Sequence, residues 1–478
     1  MSTINCNNCN HVFSSESNYY SHYLTVHKSN STSIKKILIL GGGFGGITVL
    51  REIEKNFKKS KVEITIVSDE NYFLFTPMLP QVISGLLHPS NISTPIRYFC
   101  KKAKFLQAII ESIDLDQQLV TIQRSFDNKM RALEYDYLVL ALGGNTNYFK
   151  NHNLEKHSFS MKSIEDAIAV KNHIILMLEH AAQTGNYELQ KMLLTFVVVG
   201  GGFAGVETIS EINHFVRHSI SKFYPSINPK NINIVLISSK ERILPEINEE
   251  LSKKAWESME KAGINILKNT RADDAGEEFV MLNNGEKLPC ATLIWTGGIT
   301  MNNVVSELKC EHGESGRIVV DEILRMKNRE NVFVLGDCAL IKDSNLDSFY
   351  PSTAQHAIRE GKLIVENLKA LFKNEKKLKK FSFHSIGVMA IIGNRTGIAT
   401  IRGYSIIGIT AWLIWRAYYL AKIPTLGKKL KISVDWATDF LLTRDITLIG
   451  TIKKKKIHFI HITDNVPSIK QQLSSNLG

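Results

Sequence analysis

Short runs rich in Ile, Leu and Val recur along the chain, and four of them have the length of a β-strand. They are KILIL (36–40), VEITIVS (62–68), LLTFVVVG (193–200) and INIVLIS (232–238). Runs of this kind are typical of strands buried on both faces of a parallel sheet. After the first and third runs the apolar spacing changes to that of a helix. The repeated order of strand, turn and helix predicts an α/β fold with two similar domains.

The turn between strand and helix is rich in glycine in both places, GGGFGG in the first and GGGFAG in the second. One glycine permits the tight turn, a second lets the backbone approach a pyrophosphate, and a third allows the helix to pack closely on the strand. These candidate cofactor-binding residues are Gly41, Gly43 and Gly46 in the first turn and Gly200, Gly202 and Gly205 in the second. Two such turns predict two Rossmann-like dinucleotide-binding domains that pass electrons between their ligands. The alternative is a duplicated scaffold with one inactive site.

The strand that follows each turn is expected to end in an acidic residue that holds the ribose of a dinucleotide. The first such strand ends Ser68-Asp69, so the acid stands one place later than expected; Asp69 is a candidate ribose ligand, with a turn residue as the alternative. The second ends Ser238-Ser239, followed by Lys240. Hydroxyl groups beside a cation tolerate a 2′-phosphate that a carboxylate would repel. The choice between NADH and NADPH therefore stays open.

The first 28 residues carry a different pattern, Cys-x2-Cys-x12-His-x4-His. Ligands with this spacing close a tetrahedral zinc site, and they are Cys6, Cys9, His22 and His27. Phe13 and Tyr19 lie between the two ligand pairs, where a small finger needs apolar cover for its metal. The segment resembles the two-Cys two-His zinc fingers and predicts a small ββα zinc finger, with a coincidental tail as the alternative.

The predicted finger is poor in basic residues, since no Arg or Lys precedes Lys28. Phosphate contacts dominate affinity for nucleic acid, so nucleic acid is disfavoured as a partner. A protein partner or a stabilising role suits the finger better. The polar residues 29–35 then form a linker to the first dinucleotide-binding domain.

Further segments follow in a fixed order, and one of them, NVFVLGDCA (331–339), supplies Asp337 at the end of a strand. A carboxylate there can accept hydrogen bonds from the ribityl hydroxyls of a flavin, while its alternative is a helix cap. The other segments are NYFLFTPMLPQVISG (71–85), GGGFAGVE (200–207), PSTAQHAIREG (351–361) and GITAWLIWRAYYL (408–420). From about Lys35 to about Leu448 the chain resembles the two-dinucleotide-binding-domain flavoproteins, and within them the type II NADH dehydrogenases.

This resemblance implies FAD in the first domain, NAD(P)H in the second, and electron transfer to a membrane quinone without proton pumping. It implies that Glu207 lies near the contact of nicotinamide and flavin and relays protons, although a carboxylate at a helix start is also favoured by the helix dipole. It implies that Gln355 borders the quinone site. The family often has glutamines where this chain has Arg359 and Glu360, so the chain departs from the family's pattern at that site.

The C-terminal hundred residues interleave Trp, Tyr and Phe with aliphatic and basic residues, and the ring-bearing positions are Trp412, Trp415, Tyr418, Tyr419, Trp436 and Phe440. The apolar stretches are too short to span a bilayer but suit its interface. The net charge of +12 concentrates in lysine clusters that suit anionic lipid. The segment therefore predicts a membrane-interface region, with core-closing helices or a homodimer contact as the alternative.

The predicted domains are a finger at 1–28, a linker at 29–35, an FAD-binding domain at 36–160 and 315–375, an NAD(P)H-binding domain at 161–314 and an interface region at 376–478. The chain lacks an N-terminal apolar leader, and its scattered cysteines fit a reducing compartment. We therefore expect a cytoplasmic protein, peripheral on the inner face of the membrane. Alternative functions are a soluble flavin reductase, a zinc-finger redox-sensing regulator, and a sulfide:quinone-type relative. The last is disfavoured because no close cysteine pair follows either glycine turn.

Overall fold

The structure is a computed structural model, and it describes residues 4–5, 12–13, 34–57, 62–343 and 348–448. The four predicted zinc ligands Cys6, Cys9, His22 and His27 lie outside these residues. The two short N-terminal strands pair with each other in antiparallel register, Ile4 opposite Phe13. The described part of the chain divides into two compact units, and each is described by itself.

The strands up to the second glycine turn are β1 (Ile4–Asn5), β2 (Val12–Phe13), β3 (Lys35–Leu40), β4 (Val62–Ser68), β5 (Tyr72–Leu74), β6 (Ser93–Pro95), β7 (Lys104–Asp114), β8 (Leu119–Arg124), β9 (Met130–Glu134), β10 (Tyr137–Leu140), β11 (Asn145–Thr146) and β12 (Thr195–Val199). Those that follow are β13 (Asn233–Ile237), β14 (Ile264–Leu267), β15 (Ala272–Ala275), β16 (Phe279–Leu282), β17 (Lys287–Pro289), β18 (Thr292–Trp295), β19 (Ile299–Thr300), β20 (Ile318–Val319), β21 (Val332–Val334), β22 (Ala339–Leu340), β23 (Gly387–Gly393), β24 (Thr396–Ile401) and β25 (Tyr404–Gly408).

The α-helices are α1 (Phe44–Asn56), α2 (Leu79–Ile83), α3 (Pro89–Ile92), α4 (His152–His157), α5 (Ile164–Gln183), α6 (Tyr187–Leu193), α7 (Phe203–Phe223), α8 (Glu249–Lys261), α9 (Asn303–Ser306), α10 (Ala354–Leu371), α11 (Ile409–Lys422) and α12 (Leu426–Thr438). Short 3₁₀ turns cover Thr76–Met78, Ile96–Tyr98, Pro229–Asn231, Glu314–Gly316 and Gly336–Cys338.

The first unit comprises Met1–Leu74, Ser93–Asn145 and Ile299–Ser385. Its main sheet has the order β2-β1-β9-β8-β7-β4-β3-β10-β21, and the strands from β7 to β21 are parallel. The side chains of residues 37–40 in β3 and 138–140 in β10 are buried, as the continuous apolar runs predict. The helices α1 and α10 pack against each other in this unit.

The second unit comprises Phe75–Ile92, Thr146–Gly298 and Ile386–Gly478. Its parallel sheet has the order β14-β13-β12-β18, and a separate antiparallel sheet is formed by β23, β24 and β25. The long helix α7 packs on β23, and α11 packs on β24 and β25. Because of this packing the C-terminal segment shares a unit with the second glycine turn.

The observed elements confirm the α/β fold, and each of the four apolar runs contains a strand. The run 193–200 is shorter as a strand than expected, since Leu193 still belongs to α6 and the strand begins at Thr195. The compact units are cut at other residues than the predicted domains. The central part of the second unit runs from Thr146 to Gly298, and the division into FAD-binding and NAD(P)H-binding domains stays a prediction.

Candidate functional site

The first glycine turn joins β3 to α1 with little room for side chains. Gly41 has φ +108°, which glycine alone adopts easily. A Cβ on Gly46 would lie 1.9 Å from the carbonyl oxygen of Gly41, so this position admits no side chain. A Cβ on Gly43 would meet nothing within 4 Å. Gly43 is the N-cap of α1, and no side chain caps the helix at this residue.

The second turn repeats this geometry between β12 and α7. Gly200 has φ +125°, and a Cβ on Gly205 would lie 1.9 Å from the carbonyl oxygen of Gly200. Gly202 is the uncapped N-cap of α7, and a Cβ there would again meet nothing within 4 Å. The two turns are therefore the same local structure built twice. In each, a helix N-terminus that no side chain caps is suited to an anion such as a pyrophosphate.

The strand ends beside the two turns are also alike, and both carry serine. Ser68 and Ser238 are buried, and each faces the middle glycine of its turn: a Cβ on Gly42 or Gly201 would lie 2.8 or 2.5 Å from the respective hydroxyl. Asp69 comes next and is exposed; its Oδ1 accepts the backbone N–H of the following residue at 3.0 Å. The carboxylate therefore stands at the surface, one place beyond the buried strand end.

The Ser238 hydroxyl is engaged within its own turn. It donates to the carbonyl oxygen of Lys240 at 3.1 Å and lies 3.3 Å from the Lys240 amide nitrogen. The neighbouring acid, Glu241, is drawn to Lys268 at 2.6 Å. The end of β13 thus carries a serine hydroxyl in place of an acid, and the carboxylate of Glu241 nearby is paired with Lys268.

Asp337 lies in the 3₁₀ turn after β21, in the first unit, with a second carboxylate close by. Glu360 on α10 is buried, and its Oε2 accepts the Gly336 amide at 2.7 Å. Burial raises the pKa of Glu360 to about 7, the amide hydrogen bond opposes this, and the Asp337 charge adds to it. The burial of Glu360 was not predicted; the one sequence signal at this position is a glutamate where the family often has a glutamine.

A cavity of about 510 Å³ opens in the first unit, and its lining includes Arg317, Tyr350 and Ser352. The Arg317 guanidinium is largely buried and lies 3.4 Å from the Ser352 hydroxyl. Asp337 interacts with it electrostatically. A cation, hydroxyl groups and an aromatic ring thus line a space beside the candidate flavin ligand.

Gln355 is in the first turn of α10, also in the first unit. Its carbonyl oxygen accepts a hydrogen bond from Arg359 Nη1 at 3.0 Å, and the same guanidinium lies 3.8 Å from the ring centroid of Phe383. This stacking fixes a cation one helical turn after Gln355. Arg359, which stands where the family often has a glutamine, is therefore held in place.

Glu207 lies in the first half of α7, in the second unit, where it is buried. Its Oε1 accepts two hydrogen bonds, from the Ile391 amide on β23 and from the Trp415 indole N–H on α11, both at 3.0 Å. Burial raises the pKa of Glu207 to about 8; the two hydrogen bonds oppose this, and Glu211 adds to it. The carboxyl is therefore largely protonated at neutral pH.

Glu207 begins a line of titratable residues along one face of α7, at the helical spacing i, i+4, i+7 and i+11. The others are Glu211, His214 and His218. Glu211 pairs with the buried Arg444 at 3.2 Å, and Arg444 also binds Asp439. A buried helix face normally carries apolar core residues. This face of α7 instead carries titratable residues, and the C-terminal segment covers it.

The C-terminal helices expose aliphatic side chains, while their indoles are inside. Trp412, Trp415 and Trp436 are all buried, so the expectation that the tryptophans lie at a membrane surface is wrong. Trp412 and Trp415 pack inside the second unit because α11 lies on β24 and β25, and Trp436 on α12 donates its indole N–H to Gln81 Oε1 at 2.9 Å. The exposed apolar residues are instead Leu413 on α11, Leu426, Leu430 and Val434 on α12, and Phe440, Leu441 and Leu442 after it. Among the described residues, none of the helices has the length and apolar character needed to cross a bilayer.

The thiols of the described cysteines are unreactive by their surroundings. Burial raises the pKa of Cys338 and of Cys290 to about 12. The Cys338 Sγ donates to the carbonyl oxygen of Gly143 at 3.2 Å. Within the described ranges, there is also no group of three or more metal-ligating side chains. Thiolate chemistry has no suitable residue in this part of the chain.

Residues 35–361 match the pyridine nucleotide-disulphide oxidoreductase family, and residues 386–445 match the NDH2 C-terminal domain. The chain belongs to the NDH2 branch of the pyridine nucleotide-disulphide oxidoreductases. A probable NADH dehydrogenase of Dictyostelium discoideum is 31% identical to this NDH2 chain over 418 residues, which cover 86% of this chain and 91% of that protein. The type II NADH:quinone oxidoreductase Ndh of Mycobacterium tuberculosis is 26% identical over 422 residues, covering 86% and 89%.

Solved structures share the fold of this NDH2 chain. NDH2 of Plasmodium falciparum, solved in complex with NADH, has a TM-score of 0.79 at 23% identity and covers 86% of this chain and 99% of that one. A sulfide:quinone oxidoreductase of Aquifex aeolicus has a TM-score of 0.63 at 17% identity, covering 90% and 96%. Because sulfide and NADH enzymes share this fold, the residues of the site must decide between the two chemistries.

Sequence reasoning missed the partners of the Glu207 carboxylate. Ile391 and Trp415 stand 184 and 208 residues away from it along the chain. The one available signal was the line of acids and histidines on α7, which indicates that a polar surface covers that face. Glu207 and Gln355 lie in different compact units.

Proposed function

We propose that this NDH2 chain is a peripheral membrane NAD(P)H:quinone oxidoreductase that uses FAD and does not pump protons. The reaction is NAD(P)H + H⁺ + quinone → NAD(P)⁺ + quinol. The observation that carries the proposal is the pair of glycine turns: no side chain caps either helix, and a Cβ on either N-cap glycine, Gly43 or Gly202, would meet nothing within 4 Å. Two dinucleotides can then be held in one chain, as electron transfer from nicotinamide to flavin requires.

FAD would fit the first turn, because a Cβ on Gly43 would meet no atom within 4 Å and so leaves room for a ligand beside the turn. Gly41 and Gly46 shape the turn, and the first-turn N–H groups of α1 would hold the pyrophosphate. Asp337 would accept hydrogen bonds from the ribityl chain, and Asp69 would reach the adenosine ribose from the surface. When bound, FAD supplies a ring that accepts hydride and gives up two electrons to the quinone.

NAD(P)H would occupy the second turn, at Gly200, Gly202 and Gly205. The engaged Ser238 hydroxyl and the missing carboxylate at the end of β13 leave the 2′ position of the ribose without a repelling charge. We therefore keep both NADH and NADPH as substrates.

Glu207 is our candidate for proton exchange with the reacting groups, because it is buried and protonated at neutral pH. Its carboxyl can give up a proton during quinone reduction and regain it from solvent. Gln355 is our candidate for a quinone-bordering residue. The fixed Arg359 cation one turn further along α10 would favour the negative charge that develops on a quinone as it is reduced.

The membrane surface is the proposed partner of the C-terminal helices. Leu426, Leu430 and Val434 recur at every fourth residue of α12 and are exposed, and Lys431 is exposed on the same helix. An amphipathic helix of this kind lies in the interface of anionic lipid. We assign the inner face of the membrane, where a cytoplasmic nucleotide is available. A homodimer that covers the same face is the competing use of these residues.

A zinc finger at residues 1–28 is a further proposal, and its ligands would be Cys6, Cys9, His22 and His27. The antiparallel pairing of the strands on either side of the cysteine pair supports a finger of the ββα type. We assign it to a protein partner or to stability, not to electron transfer. Deletion of residues 1–30 is therefore expected to leave FAD content and quinone reduction nearly unchanged; loss of flavin in that truncation would contradict this assignment.

The reaction can be tested by its stoichiometry under anaerobic conditions. The purified chain, NADH or NADPH and a short-chain soluble quinone are mixed, and nucleotide loss and quinol formation are followed together. One quinol per nucleotide oxidised supports the proposal. Nucleotide oxidation that requires a soluble protein acceptor would favour a flavin reductase, sulfide-driven quinol formation would favour the sulfide relative, and no turnover with any donor would favour a sensor.

A further inference from the structure

Only one of the two carboxyl oxygens of Glu207 accepts hydrogen bonds from the described residues. Both hydrogen bonds go to the same oxygen, Oε1, and both donors come from the C-terminal segment, Ile391 on β23 and Trp415 on α11. Within the described ranges, no protein group hydrogen-bonds to Oε2. A carboxylic acid carries its proton on the oxygen that does not already accept two donors. The two oxygens of Glu207 are therefore chemically different.

We propose that Trp415 is a positioning residue for Glu207: its indole N–H, with the Ile391 amide, fixes Oε1 as an acceptor, so that Oε2 is the oxygen that carries and exchanges the proton. The role rests on the proposed function of Glu207 as the proton-exchanging group. It makes the C-terminal segment part of the active site, in addition to its use as a membrane contact.

The charged and titratable groups around Glu207 do not hydrogen-bond to it in place of the Trp415 indole. Glu211 on the same helix and Tyr419 on α11 are the titratable groups that interact with Glu207 electrostatically. The charge of Glu211 is paired with Arg444 at 3.2 Å. Arg416, a buried cation on α11, stacks 3.8 Å from the ring centroid of Trp412. Among the residues that the structure describes, no cation is bonded to Glu207, and its neutral N–H donors are the groups that favour its ionised form.

Removal of the indole donor is expected to raise the pKa of Glu207 further. A hydrogen bond to a charged group stabilises that group enough to correspond to about one to two pKa units. Trp415→Phe keeps an aromatic ring but lacks the N–H, so the ionised carboxylate loses this support while the protonated acid loses less. The alkaline limb of quinone reduction should move to higher pH by the same amount.

Trp436→Phe is the matched control. Trp436 is a second buried indole of the same segment. Its N–H donates to Gln81 Oε1 at 2.9 Å and makes no hydrogen bond to Glu207. Both substitutions remove one buried indole hydrogen bond, so both disturb packing by a similar amount. Only Trp415→Phe removes a bond to the acid.

The experiment is an infrared titration of the protonated carboxyl band in the full-length, flavin-loaded chain, with Glu207→Gln used to assign the band. We expect the midpoint to rise by about one to two units in Trp415→Phe and to stay within about 0.3 unit in Trp436→Phe. An unchanged midpoint in Trp415→Phe, or an equal rise in both variants, would overturn the proposal. If Trp415→Phe does not fold, benzothienylalanine at position 415 keeps the indole shape without the N–H and gives the same test. The band titrates whether or not quinone is reduced, so failure of the proposed function is read separately.

Discussion

Glu207 is expected to destabilise the protein as pH rises, and Glu207→Gln should remove that effect. Its native pKa is about 8, against an ordinary value of 4.5 for an unfolded chain. Between these values the native state holds a proton that the unfolded state has released. The stability from this group is therefore fully present below pH 4.5 and is lost as pH rises toward about 8.

The magnitude follows from the two pKa values. Each pH unit inside this window changes the free energy of unfolding by about 1.4 kcal/mol per proton. From about pH 5 to about pH 7, both inside the window, the native state loses about 3 kcal/mol. A glutamine keeps a carbonyl oxygen for the Ile391 and Trp415 donors and is neutral in both states. The Gln variant should therefore gain about 3 kcal/mol relative to the wild type over this interval.

The assay is urea unfolding of both proteins at a series of pH values, followed by tryptophan fluorescence. The chain has 5 tryptophans, all in the unit that contains Glu207: Trp256, Trp295, Trp412, Trp415 and Trp436. Fluorescence therefore reports the unfolding of that unit. Because the comparison is made at each pH, other titrating groups cancel between the two proteins.

Glu211→Gln, one helical turn away, is the matched control with the opposite sign. Glu211 pairs with the buried Arg444, so its removal leaves that cation with Asp439 alone. A broken buried ion pair costs about 3–5 kcal/mol. This variant should be destabilised across the neutral range. A difference between Glu207→Gln and the wild type that does not change with pH would refute the reasoning.

Three further predictions concern the glycine turns and the membrane face. Gly43→Val should fold normally and lose FAD, because its side chain would enter the space that we assign to the ligand. Gly46→Val should fail to fold, because a Cβ there lies 1.9 Å from a carbonyl oxygen. Circular dichroism reports the fold and the absorbance spectrum reports the flavin, and a yellow Gly43→Val protein would contradict the assigned site. Gly202→Val should stay yellow but should no longer be reduced by nicotinamide nucleotide, as followed by flavin bleaching; normal bleaching would refute the second site. Leu430→Glu should lower binding to anionic vesicles at least about tenfold in co-sedimentation, through lost apolar contact and added repulsion, and unchanged binding would exclude α12 as the contact.

The two dinucleotide-binding turns could be predicted from the sequence because their chemistry is local. Strand, glycine turn and helix stand within about twenty residues, and the positions that admit no side chain, such as Gly46 and Gly205, follow from the spacing alone. The same holds for the parallel strands, since a strand buried on both faces needs a continuous apolar run. Both features are set by neighbours in sequence.

The C-terminal helices could not be predicted in the same way. An aromatic residue lowers its free energy equally in a protein core and at a membrane surface, so composition does not separate the two environments. The structure buries Trp412, Trp415 and Trp436 and exposes Leu426 and Leu430. The face that is available for lipid is thus aliphatic, which only the packing of α11 and α12 decides.

The protonation of Glu207 is set by contacts that sequence spacing does not reveal. Its hydrogen-bond donors, Ile391 and Trp415, lie 184 and 208 residues away. The resemblance to a family placed a proton-relaying acid at this position, but the cause of its raised pKa is burial under the C-terminal segment. A pKa depends on the full three-dimensional surroundings of a group.

Anaerobic stopped-flow spectroscopy of the purified yellow protein tests the central claim most directly. The flavin is reduced with NADH and, separately, with NADPH, and the reduced protein is then mixed with a soluble quinone. We predict rapid bleaching of the flavin by at least one nucleotide, followed by rapid return of the yellow colour with quinone. Bleaching without reoxidation by quinone would contradict the assigned acceptor, and absence of bleaching with both nucleotides would contradict the role of the second glycine turn.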